Sequence, residues 1–94
     1  MYKPLPSFLT VRQSAIEGLG LFASDNIPAN IDLGMSHILV DEVVIRTPLG
    51  GFYNHSDNPN CIRKQVSPKQ WNLFTLKDIE AGEEITAKYT LYNL

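Results

Sequence analysis

Ninety-four residues carry 8 Lys plus Arg against 10 Asp plus Glu, a formal charge of −2, which gives no electrostatic basis for binding nucleic acid or an acidic membrane. A single cysteine excludes an internal disulfide and cannot build a zinc cluster. No apolar run is long enough for a membrane span or a secretory leader, so the expectation is one small, soluble, intracellular domain over residues 1–94, whose thin core would gain from a bound cofactor or a homodimeric contact.

In chain order, residues 1–8 contain Pro4 and Pro6 and read as an extended lead-in. Residues 9–12, with β-branched Thr10 and Val11, predict a short strand. Residues 14–20 form a loop ending in Gly18 and Gly20. Such glycines permit a tight turn, and they also let main-chain groups touch a ligand. No helix follows them, so a dinucleotide-binding loop is excluded. Residues 21–33 (LFASDNIPANIDL) align with 73–85 (LFTLKDIEAGEEI). The two share the Leu-Phe pair, match Ile27 with Ile79 and Ala29 with Ala81, and set Asn30 opposite Gly82, both tolerant of a left-handed turn. Two similar hairpins and a pseudo-symmetric β architecture are predicted.

His37 is the one ionisable ring of residues 34–44, and a structural role is expected for it. Residues 39–45 favour strand, with Asp41 and Glu42 at a bend or on a solvated face. Pro48, Gly50 and Gly51 end that strand, and no helix of convincing length is expected anywhere. Residues 51–61 (GFYNHSDNPNC) then crowd turn-forming Asn54, Asp57, Asn58 and Asn60 between apolar Phe52, Tyr53 and Cys61. A polar turn pressed into the interior needs a partner for every amide. Strands are predicted at 61–64, 71–76 and 85–91, with a hairpin tip at 67–70 and a turn at 80–83. The class is mainly β.

Several tempting constellations are weak. His55, Ser56 and Asp57 are adjacent in sequence, which does not give triad geometry. His55 lacks the convergent partners of a metal site, and no metal is expected. Glu83 and Glu84 more plausibly start a strand, with Glu84 holding a backbone or side-chain donor. Cys61 reads as a buried small hydrophobe.

Three stretches together carry a family resemblance: Gly18-Leu19-Gly20-Leu21-Phe22-Ala23, Asn54-His55-Ser56-Asp57-Asn58-Pro59-Asn60-Cys61, and Gly82-Glu83-Glu84-Ile85-Thr86 followed by Tyr89. Their kind and order resemble the SET domain family of protein lysine methyltransferases. That resemblance implies a β-clip-like fold of short strands and hairpins with a knot-like crossing near the C-terminus. It implies S-adenosylmethionine as cofactor, with Gly18, Leu19 and Gly20 lining its methionine end through their backbone. Asn54 and His55 would grip the cofactor, and Phe52 and Tyr53 would add wall contacts; His55 also reads as a hydrogen-bonded structural histidine. Tyr89 would be the catalytic phenol, and Tyr53 and Tyr92 would line the channel for the lysine of a protein or peptide substrate.

Departures from the family pattern also stand out. Lys88 precedes Tyr89 where an aspartate is common, and Ala87 and Arg63 lie near the place of the aromatic that limits methylation number. The passage that usually carries a substrate-holding insertion is short, and no cysteine-rich tail follows Tyr89. Three readings therefore compete: a minimal lysine methyltransferase, a silent module binding cofactor or peptide, and a structural β-clip domain.

Overall fold

The structure is a computed structural model and describes residues 5–88. It is built from short strands arranged in three sheets. Strands β1 (Leu9–Gln13) and β2 (Leu19–Ala23) form an antiparallel pair. Strands β3 (Asp32–Val40), β4 (Val43–Arg46), β6 (Cys61–Ser67) and β7 (Gln70–Thr75) form a four-stranded antiparallel sheet in the order β4-β3-β7-β6. Between them β5 (Asn54–His55) runs parallel to β8 (Thr86–Ala87). The mainly β class is thus observed.

The aligned segments of the sequence do not form separate hairpins. They pack against each other across a pseudo-twofold centred on an isolated antiparallel bridge between Ile27 and Ile79, whose amides and carbonyls exchange two hydrogen bonds of 2.7 Å. Around that centre three kinds of bond come in mated pairs. Asn30 N donates to Thr75 O as Gly82 N donates to Ala23 O, and Thr75 N donates to Ile31 O as Ala23 N donates to Glu83 O. Ala29 N donates to Asp78 Oδ1, and Ala81 N to Asn26 Oδ1, both at 2.9 Å. Asn30 and Gly82 both have positive φ, 63° and 93°, so the matched turn residues adopt the left-handed region their types tolerate. Leu21, Ile27, Leu33, Leu73, Ile79 and Ile85 from the two segments fill the centre of the core.

One element was not expected. Residues 48–52 form a single helical turn, α1 (Pro48–Phe52), in a stretch whose proline and glycines read as a strand end. Pro48 sits at the helix start, where its missing N–H costs nothing. The Thr47 side chain caps the turn by accepting from Gly50 N and itself donates to Met35 O at 2.6 Å. Leu49 is buried beneath it. A Cβ on Gly50 would collide with the carbonyl oxygen of Ser36, so glycine is needed for α1 to lie this close to β3. Tertiary contact, not propensity, makes this helix.

The segment 54–61 is held to the chain's end by Asn60. This side chain is 7% exposed; its Nδ2 donates to Glu84 O at 2.7 Å and its Oδ1 accepts from Thr86 N at 2.9 Å. Asn60 N in turn donates to Thr86 Oγ1. A buried polar turn is tolerated because each of these groups is paired.

Candidate functional site

The three motif segments converge on one carboxylate, Glu84, which bridges to Phe22 at the edge of β2. Both of its oxygens accept from Ser14 Oγ at 2.8 Å, and Oε2 accepts from Asn54 Nδ2 at 2.7 Å. Asn54 Nδ2 also reaches Ser14 Oγ at 3.1 Å and Glu17 O at 3.2 Å. Ser14 closes its own loop: its N–H donates to Gly18 O at 2.7 Å, and its Oγ accepts from Ile16 N at 2.9 Å. The loop 14–20, the start of β5 and the approach to β8 are therefore tied into one polar network.

The two glycines of the loop serve different purposes. Gly18 is exposed, with φ +48° and open space where a Cβ would point; its carbonyl accepts from Ser14 N, next to the Glu17 carbonyl that Asn54 holds. Gly20 is buried, and a Cβ there would run into Glu84 Oε2. Leu19, between them, is 57% exposed. Phe52 is half-buried at the end of α1 and packs on the core. Tyr53 is 6% exposed within it. His55 is half-buried, with its backbone paired to Ala87 and its Nε2 3.1 Å from Oδ1 of exposed Asp57. Tyr89 and Tyr92 lie outside the described residues, which end at Lys88, one residue beyond β8.

Glu84 makes no ion pair among the described residues. Its donors there are a hydroxyl and a carboxamide, both neutral, so no described cation offsets this carboxylate beside loop 14–20. Such a rim favours a cationic ligand over an anionic one. Among the described residues no three His, Cys, Asp or Glu side chains gather as a metal would require. No helix among them is long and apolar enough to cross a membrane. A surface recess of about 350 Å³ lies elsewhere, on the pseudo-twofold, lined by Ile27, Pro28, Ile79 and Glu80 with the two turn-capping side chains Asn26 and Asp78.

Ser14 is the participant that sequence reading passed over. The signal was local: a serine heading a loop accepts from the amides two and three residues on, as this one does. Glu84, expected to hold a donor, holds two, Ser14 Oγ and Asn54 Nδ2. Cys61 is fully buried, and burial pushes its thiol up to about 12, as befits an inert core residue.

Comparison with known proteins bears on the family and the fold. The SET domain model matches residues 35–90. A histone-lysine N-methyltransferase of Aspergillus oryzae, specific for H3 lysine 4, is 32% identical over 111 aligned positions. The match covers 82% of this chain but only 9% of that protein, so the chain spans about a tenth of the length of its curated relative. Among solved structures, a candidate histone methyltransferase of Plasmodium falciparum superposes with a TM-score of 0.76 at 19% identity, covering 93% of this chain and 96% of that one. A humanized, inhibitor-bound mutant of Chaetomium thermophilum Polycomb Repressive Complex 2 gives 0.69 at 20% identity, over 86% of this chain and 14% of that one. Motifs, fold and family model coincide, and the chain belongs to the SET domain family.

Proposed function

We propose that this chain is an S-adenosylmethionine-dependent methyltransferase domain acting on a lysine of a protein substrate. The observation that carries the reading is the meeting of loop 14–20, Asn54 and Glu84, where exposed Gly18 lies in the loop beside a carboxylate that makes no ion pair among the described residues. A sulfonium cofactor with an ammonium group suits such a rim. Gly18, Leu19 and Gly20 would hold it through their main chain, with Asn54, His55 and Phe52 on the other side. When bound, it supplies an electrophilic methyl group.

The remaining requirements fall on the protein and the substrate amine. A lysine of pKa about 10.4 is almost wholly protonated at pH 7, and presenting the neutral amine costs about 4.6 kcal/mol. Enclosing the amine away from water lowers that cost, because burial disfavours the charged form. Tyr53, buried in the core at the end of α1, would supply one apolar wall of this enclosure, and Tyr92 a second. Tyr89 follows β8 by two positions, and its phenol oxygen would orient the amine lone pair at the methyl-transfer point. Alignment of that kind accounts for much of the rate gain when two reactants are held together. The network around Glu84 keeps Asn54 and the loop in register, so that each binding group is fixed before the ligand arrives.

Calorimetric titration with S-adenosylmethionine and methyl transfer to a lysine-rich protein mixture test the reading. Tyr89→Phe is expected to lower turnover more than about tenfold with cofactor affinity nearly unchanged, and His55→Ala to weaken cofactor binding. Heatless titration of the unaltered protein would leave a structural domain. Binding without transfer would leave a silent module.

A further inference from the structure

The four-stranded sheet has two edges, β4 and β6, which differ in how they are protected. A bare edge presents unpaired N–H and C=O groups, and folds blunt it with charged side chains or bulges. β6 has both: Arg63 and Lys64 lie along it, and its register slips between Gln65 and Ser67. β4 has no bulge. It pairs with β3 without a shift from Val40–Val43 to His37–Arg46, and its body is Val43, Val44 and Ile45.

The ladder decides which groups of β4 are bare. Leu39 N donates to Lys69 O, away from β4, so Val44 opposite it belongs to a pair without hydrogen bonds. Arg46, two residues on, alternates in the same sense, and Thr47 N then returns to Ser36 O. The main-chain N–H and C=O of Val44 and Arg46 therefore point out of the sheet, with no partner among the described residues.

Apolar surface adjoins this edge. Val40, Val43 and Ile45 are 43%, 60% and 46% exposed, and all three alternate onto the face opposite His37. Farther across that face the surface turns polar, where Asn72 bonds to Gln70 and Asp32. The patch is thus confined to the β3–β4 hairpin and ends at the bare strand.

The order of charges says what fits there. Glu42 and Arg46 flank Val44 at equal spacing, and neither side chain makes an ion pair or hydrogen bond among the described residues. Two copies of β4 set antiparallel, with Val44 on the twofold axis, exchange the Val44 N–H and C=O groups. That register puts Glu42 of each copy opposite Arg46 of the other, and Val43 opposite Ile45 on one side of the joined sheet. A foreign strand would satisfy the bare backbone equally well, but the acid–apolar–base order is complementary to itself.

We propose that the β4 edge is a homodimer interface, pairing antiparallel with β4 of a second copy of this chain about Val44. The proposal does not depend on the methyltransferase reading. Because one strand edge buries little surface, the dimer is a weak, transient one.

Sedimentation equilibrium at chain concentrations up to about 1 mM tests this. The mass of the unaltered protein is expected to rise with concentration from 10.6 kDa towards twice that value. Glu42→Arg sets arginine against Arg46, and Arg46→Glu sets glutamate against Glu42, so each alone should weaken association at least about tenfold. Mixing the two variants makes both cross-strand pairs opposite in charge and should restore the dimer. Lys64→Glu, a charge reversal on the β6 edge, should leave it intact. All substituted side chains are exposed, and circular dichroism checks that each variant is folded. A monomer at every concentration, a dimer that survives either single reversal, or a mixture that stays monomeric overturns the proposal. So does a monomer that binds a labelled lysine peptide and loses that binding with Arg46→Glu, since the edge would then take a substrate strand.

Discussion

At the scale of single residues, His37 has the most measurable consequence. Burial, followed by the fields of Arg63 and Arg46, lowers its pKa from 6.5 to about 4. The folded state therefore prefers the neutral ring, while the unfolded chain takes up a proton near pH 6.5. Between those values the unfolded state binds more protons, so stability rises with pH. The contribution is fully present above pH ~6.5 and is lost as pH falls towards 4. Over that window it amounts to on the order of 2–3 kcal/mol. Replacing His37 by Gln removes the titration, and urea unfolding of the two proteins at pH 7 and pH 4.5 is expected to show a smaller acid loss in the variant. An identical acid loss in both would show that His37 does not titrate in this range.

Single elements carry their own strain. The hairpin between β3 and β4 turns through Asp41 and Glu42, which both have positive φ, 49° and 66°, the geometry of a two-residue turn matched to strand twist. Aspartate tolerates that region better than glutamate, whose Cβ meets the following carbonyl there. Glu42→Gly is expected to stabilise the protein by about 1 kcal/mol, seen as a higher urea midpoint with unchanged slope. A lower midpoint would mean that the glutamate side chain contributes more than its backbone costs. α1 is the opposite case: its residues have poor helix propensity, and Thr47, Leu49 and the close approach of Gly50 to Ser36 hold the turn together.

For the molecule as a whole, the pseudo-twofold organises the core. Asn26 and Asp78 occupy equivalent places and each accepts one amide proton from the opposite segment. Asn26→Ala and Asp78→Ala should therefore each destabilise by about 1 kcal/mol, the aspartate somewhat more because its acceptor is charged. Chemical denaturation measures both. An effect at one position and none at the other would mean that the symmetry of the backbone does not extend to its energetics. The same pairing brings residues 21–23 against 82–85, which sets Glu84 beside Gly20. The fold's symmetry thus builds the floor of the candidate site.

Much of this was legible in the chain. Residue types that demand particular backbone states, such as Asn30 and Gly82 at left-handed turns, declare themselves locally, and the spacing of the three motifs specified the family and the mainly β class. The pairing of the two similar segments with each other was not legible, because antiparallel contact between residues 52 apart leaves no local trace. Nor was the convergence of Ser14, Asn54 and Glu84, whose hydrogen bonds span 30 to 70 residues. α1 escaped for the same reason, since contacts from β3 outweigh its own weak propensity. Sequence determined the turn chemistry, the strand periodicity and the motifs; only tertiary packing decided which distant polar groups meet, because that depends on how the sheets close around a shared core.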